Sequence, residues 1–269
     1  MNEKSRLSPA EQKPPTFSRV QLVLYPLLVI VLFFVASLVV GLAVELGALR
    51  RGSLALTVLA YALNFLLFAG GAYLLAVRPG KLTWAELGIA PPRWRWLWLL
   101  LAAGLTLVLL PVRGIVGVVA QQLLGGGLEG MQSRLDLLLG SELSWPRFFI
   151  TLAGAGLLAP AAEELFFRGL IYTALRQRLG IAAAAAASSA VFAAGHIDAV
   201  GVVAASFIMG IALALAYEYT RSLWVAIAIH ALNNTLATVL AYLLLVVQAY
   251  LEGQGIDPTL WTSPLPLAP

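Results

Sequence analysis

The sequence contains no cysteine, which excludes disulfides, thiolate metal sites and a cysteine nucleophile. It holds only two histidines, and charged residues make up 11% of its 269 positions. A soluble domain carries about 25%, so this chain lacks the polar surface that water requires. The basic residues leave a formal net charge of +4. They sit in short stretches between apolar runs and form no stripe or cluster, which argues against a nucleic-acid partner. No HExxH pair occurs on one predicted helix, no Ser/His/Asp arrangement is evident, and no inverted repeat of the transporter kind is visible. What is abundant is hydrophobicity, at 61% of residues and a mean hydropathy of +0.90.

Seven apolar runs follow one another, near Val20 to Leu46, Leu54 to Val77, Trp96 to Leu124, Phe148 to Leu175, Ile181 to Ile197, Val200 to Tyr219 and Leu223 to Leu251. Most reach the roughly 18 to 20 residues needed to cross a bilayer. The expected fold is an all-α polytopic transmembrane bundle of seven spans, or eight if the last run breaks near Asn233 and Asn234. The first run is too long for a signal-peptide core and is expected to stay.

Residues 1–19 are polar and read as a disordered tail. Residues 20–124 form the N-terminal helices, with an interfacial segment near 78–96 in which Trp84, Trp94, Trp96 and Trp98 anchor the chain at the headgroups. Within it, Lys81 to Ile89 is expected to be a short surface helix stopped by Pro91 and Pro92. The stretch from Gly125 to Trp145 is a candidate cap or gate. Residues 145–251 form the chemical core, and 252–269 a Pro-rich tail. Eleven basic residues fall on the side of the N-terminus, among them Arg78, Lys81, Arg93, Arg95, Arg176, Arg178 and Arg221, against Arg50, Arg51, Arg134 and Arg147 on the other. That asymmetry predicts a cytoplasmic N-terminus.

Ionisable side chains inside a bilayer cost at least about 2.5 kcal/mol each and need a reason. The fourth run holds Glu163, Glu164 and Arg168. Glu164 and Arg168 are four apart on one helix face, with the acid N-terminal to the base, and should pair. Glu163, rotated by about 100°, has no such partner, which suits a general base. The fifth run ends in Phe192-Ala193-Ala194-Gly195-His196 and the seventh carries His230-Ala231-Leu232-Asn233-Asn234. A rise of about 1.5 Å per residue puts Glu163, His196 and Asn234 at depths of roughly 17 to 22 Å, with His230 at roughly 10 Å. Three helices thus carry polar groups towards one layer. Asn233 reads as interhelical glue, and Arg113 as a structural residue that lines the cavity or pairs with an acid.

The motifs EELFFR, FAAGH and HALNN resemble, in order and in spacing, those of the CAAX-protease and bacteriocin-processing family, whose pattern is EExxxR, FxxxH and HxxxN. The resemblance covers roughly Trp145 to Leu251. It implies an intramembrane endopeptidase in which Glu163 is the base, His196 helps to hold the attacking water, and His230 with Asn234 stabilises the oxyanion. Glu164, Arg168 and Phe192 would support them.

Two catalytic types fit these residues. In one, Glu163 activates water without a cofactor, the reading favoured here. In the other, Glu163, His196 and His230 hold a Zn²⁺ with water in the fourth position. The expected partners are the bilayer and a peptide or lipidated-protein substrate, which includes prenylated C-termini. Composition points to a prokaryotic inner membrane. The rival readings are a proton-coupled transporter, whose polar residues would run along a path, and a scaffold or immunity protein without catalysis.

Overall fold

A computed structural model describes residues 16–50, 52–89, 96–125, 144–197 and 199–254. The N-terminal tail before residue 16, Trp94, most of the candidate cap between Gly125 and Trp145, and residues 255–269 of the Pro-rich C-terminal tail lie outside the described residues.

All regular structure among the described residues is helical. Among the described residues, six helices are long and apolar enough to cross a membrane: α1 (Arg19–Glu45), α2 (Leu54–Val77), α3 (Trp96–Leu124), α4 (Trp145–Arg176), α6 (Val200–Thr220) and α7 (Leu223–Gly253). The remaining helix, α5 (Ile181–Ala194), has 14 residues and falls short of a span by length. The expected all-α bundle is present, with this one run shortened because the chain turns at Gly195. The last run does not break at its two asparagines, and α7 continues unbroken for 31 residues.

Local chemistry explains the helix ends. Ser18 accepts from the backbone N–H of Gln21, and the Gln21 side chain accepts in return from the N–H of Ser18, a reciprocal cap that starts α1. Ser53 caps α2 in the same sense, accepting from the N–H of Leu56. The segment expected to be a short surface helix is instead a series of turns over residues 84–88. It closes at Gly88 with φ +87°, and the Gly88 carbonyl accepts from the N–H of Leu223. Leu82 and Leu87 of this segment are buried, so it plugs the bundle end and does not lie on it.

The bundle is built around α4. Half of α4's apolar window is buried, against 6% for α1, which leaves α1 facing lipid. The helix is not regular. Two π-helical stretches, Gly154–Leu158 and Leu165–Tyr172, flank the α-helical segment Ala159–Glu164. A wider turn shifts the side chains that follow it around the axis, and such insertions recur at functional sites. Glycines let neighbours close on the first of these stretches. A Cβ at Gly154 would lie 2.2 Å from the Tyr61 ring of α2, and one at Gly156 would lie 2.7 Å from Thr235 Oγ1 of α7. Helices α2 and α7 therefore reach α4 just before its two glutamates.

Candidate active site

Glu163 and Glu164 sit at the end of the α-helical segment of α4, with 7% and 0% of their surfaces exposed. Although adjacent, they have different partners. Arg168 Nη1 donates to Glu164 Oε1 at 2.8 Å, and its Nη2 donates to the Gly210 carbonyl of α6 at 3.1 Å. The Arg168 guanidinium also lies 4.7 Å from the Phe192 ring centroid, a cation–π contact that replaces part of its lost hydration. This buried charge is matched by a carboxylate, a carbonyl and a ring.

His230 of α7 is 3% exposed and its Nδ1 lies 2.8 Å from Glu164 Oε1. An ionised carboxylate only accepts, so Nδ1 carries a hydrogen towards it and Nε2 is turned the other way. Nε2 lies 3.9 Å from Glu163 Oε2. Glu164 thus takes two donors on one oxygen, orienting the imidazole towards its neighbour, while Glu164 Oε2 has no protein partner.

Glu163 gains a contact of a different kind. Asn64 Nδ2, from α2, donates to Glu163 Oε1 at 3.1 Å. The motifs contain no hint of this residue. The signal available was a lone amide in the apolar run from Leu54 to Val77, of the type that forms interhelical hydrogen bonds.

Phe192 orders the other two motifs. Its ring meets His230 edge to face at 5.8 Å and His196 at 4.9 Å. The imidazole Nδ1 of His196 lies 3.0 Å from the Phe192 carbonyl one turn back, which fixes the ring against the end of α5. Asn234 Nδ2 donates to the Ala155 carbonyl in the first π-helical stretch at 3.1 Å and so spends one of its two hydrogens there. Asn233 is fully buried and accepts through Oδ1 from Arg113 Nη1 of α3. Arg113 thus reaches an amide of α7.

The expected alternative metal set does not assemble. Among the described residues no group of three or more His, Asp or Glu side chains is placed to hold a metal ion, so Glu163, His196 and His230 do not form the three-ligand site as they stand.

Residues 145–236 match a family profile described as "Type II CAAX prenyl endopeptidase Rce1-like". The protein named "Putative membrane peptidase YdiL" from Bacillus subtilis (strain 168) is 29% identical over 145 residues, which cover 53% of this chain and 55% of that protein. The chain thus spans about half the length of this curated relative. No solved structure matches it. The EELFFR, FAAGH and HALNN motifs all fall within the matched residues, whereas Asn64 falls outside them. Through residues 145–236, this integral membrane chain is similar to the CAAX prenyl endopeptidase family, over the same stretch that carries its three motifs.

Proposed function

We propose that the protein is an intramembrane endopeptidase that hydrolyses peptide bonds of membrane-associated substrates, using Glu163 as a metal-independent general base. The observation that carries this reading is the division of labour between adjacent carboxylates. Glu164 is neutralised by Arg168 and orients His230, while Glu163 bonds only to a neutral amide and lies 3.9 Å from the free face of that imidazole.

A peptide bond is cleaved by an activated water, a stabilised oxyanion and a proton for the leaving amine. Glu163 takes one proton from water, and the water oxygen bonds to the carbonyl carbon as the C=O π electrons move onto oxygen. His230, carrying a hydrogen on both ring nitrogens, donates from Nε2 to that oxyanion, and the Glu164 carboxylate compensates the imidazolium. Asn234 donates with its remaining Nδ2 hydrogen. The oxyanion then collapses, the C–N bond breaks, and the proton held by Glu163 passes to the departing nitrogen. His196, fixed by Phe192, helps to hold the water before attack.

The test is to incubate wild type and Glu163→Gln, reconstituted in lipid, with a peptide library containing prenylated and unmodified members, and to read the products by mass spectrometry. The expected result is cleavage by wild type and loss of at least about 100-fold in Glu163→Gln, with unchanged melting. Equal cleavage by both would remove Glu163 from the mechanism. Loss of wild-type activity in a strong chelator, with stoichiometric Zn²⁺ in the purified protein, would overturn the metal-independent version.

A further inference from the structure

Helix α2 is almost wholly apolar, yet it brings one carboxamide to the reacting carboxylate. The amide's orientation is set by charge. With Nδ2 against Glu163 Oε1 at 3.1 Å the contact is a hydrogen bond, and the reversed amide would set its oxygen against a carboxylate oxygen. Asn64 Oδ1 is thereby fixed as the free acceptor of the amide, buried and with no hydrogen-bond partner among the described residues. A buried acceptor calls for a donor. The other oxygen of Glu163 faces His230 Nε2 across 3.9 Å, and a water with ordinary hydrogen bonds to both would subtend an angle of about 90°. With Nε2 donating to it, as in the proposed reaction, a water in this place transfers one hydrogen to Glu163 and needs an acceptor for its second.

We propose that Asn64 completes the water-activating unit, with Nδ2 holding the Glu163 carboxylate in place and Oδ1 accepting the hydrogen that the water does not transfer. This rests on Glu163 being the base. It assigns part of the site to a helix outside the family-matched residues 145–236 and explains why an amide, and not merely a packing residue, occupies that position. Tyr61, one turn earlier on α2, packs its ring over Gly154, so the approach that sets Asn64 on Glu163 is built into the helix contact itself.

The experiment compares Asn64→Leu, Asn64→Asp and Asn64→Ala with wild type in lipid vesicles, each checked for folding by size exclusion and thermal melting. Leucine keeps the size and removes both polar groups, and aspartate keeps acceptors and removes the donor. The expected result is a kcat lower by about 10- to 100-fold in both, the range for an outer-shell partner of a reacting group, with KM within about twofold because no substrate contact is lost. Adding Asn64→Leu to Glu163→Gln should produce no further fall, because both act on one step. If Asn64→Leu does not fold, Asn64→Ala carries the same expectation. A folded Asn64→Leu or Asn64→Ala with wild-type kcat, alongside an inactive Glu163→Gln, would overturn the inference and leave Asn64 as interhelical glue. An active Glu163→Gln would instead defeat the base assignment itself.

Discussion

Exchanging Glu164 and Arg168 for glutamine, singly and together, separates what their ion pair does for the fold from what it does for catalysis. Both side chains are essentially inaccessible, at 0% and 1% exposure, and Glu164 Oε1 serves Arg168 and His230 at 2.8 Å each. Glu164→Gln is nearly isosteric but leaves a buried guanidinium without its counter-charge, and Arg168→Gln leaves the carboxylate with only the imidazole. Breaking one side of such a pair costs about 3 to 5 kcal/mol, which for a chain of this size lowers the melting temperature by something on the order of 10 °C. The double substitution removes both charges and lets the amides pair, so it should recover part of that loss. Thermal unfolding in detergent gives the four corners of the cycle, and the expected coupling is at least about 2 kcal/mol. Peptidase activity should stay low in Glu164→Gln and in the double variant, because His230 loses its charged orienting partner in both. Additive losses in melting would refute a coupled pair, and full activity in the stabilised double variant would refute the orienting role of Glu164.

Gly88→Ala should destabilise the protein by about 1 to 3 kcal/mol, because φ is +87° there and the new Cβ would lie 2.7 Å from the Tyr217 ring; melting at or above the wild-type temperature would contradict this. Glu218 is buried and accepts from Tyr172 at 2.8 Å, from Arg176 at 3.0 and 3.2 Å and from Arg221 at 3.0 Å. Glu218→Gln should therefore cost about 3 to 5 kcal/mol. Arg221→Gln should cost less than about 1 kcal/mol, because that side chain is 66% exposed, and equal melting losses for the two would show that burial does not control the network.

The long helices were legible because bilayer length and hydropathy leave few alternatives for runs such as Leu54 to Val77. The Glu164–Arg168 pair was legible because helical spacing alone brings residues four apart together. Other features depend on tertiary contact. The π-helical stretches of α4 have no composition of their own; the first accompanies the close approach of Tyr61 and Thr235 to two glycines. Asn64 looked like any amide in an apolar run until α2 was placed against α4. Lys81 to Ile89 has the residues of a helix, but burial of Leu82 and Leu87 and the left-handed Gly88 turn it into a plug. The pairing of Arg113 with Asn233 needed the register of α3 on α7, which periodicity does not encode. The bond of Asn234 to Ala155 depends likewise on how α7 meets the first π-helical stretch.

The shortness of α5 bears on the membrane as much as on the protein. Fourteen residues rise about 21 Å, and a hydrocarbon layer is about 30 Å thick. Lipid beside this helix has to thin, or headgroups have to follow its end inwards. The end in question carries His196. A bilayer dimpled there would deliver water to the motif layer from its own surface, so that a hydrolytic reaction within an oily bundle would need no pore through it.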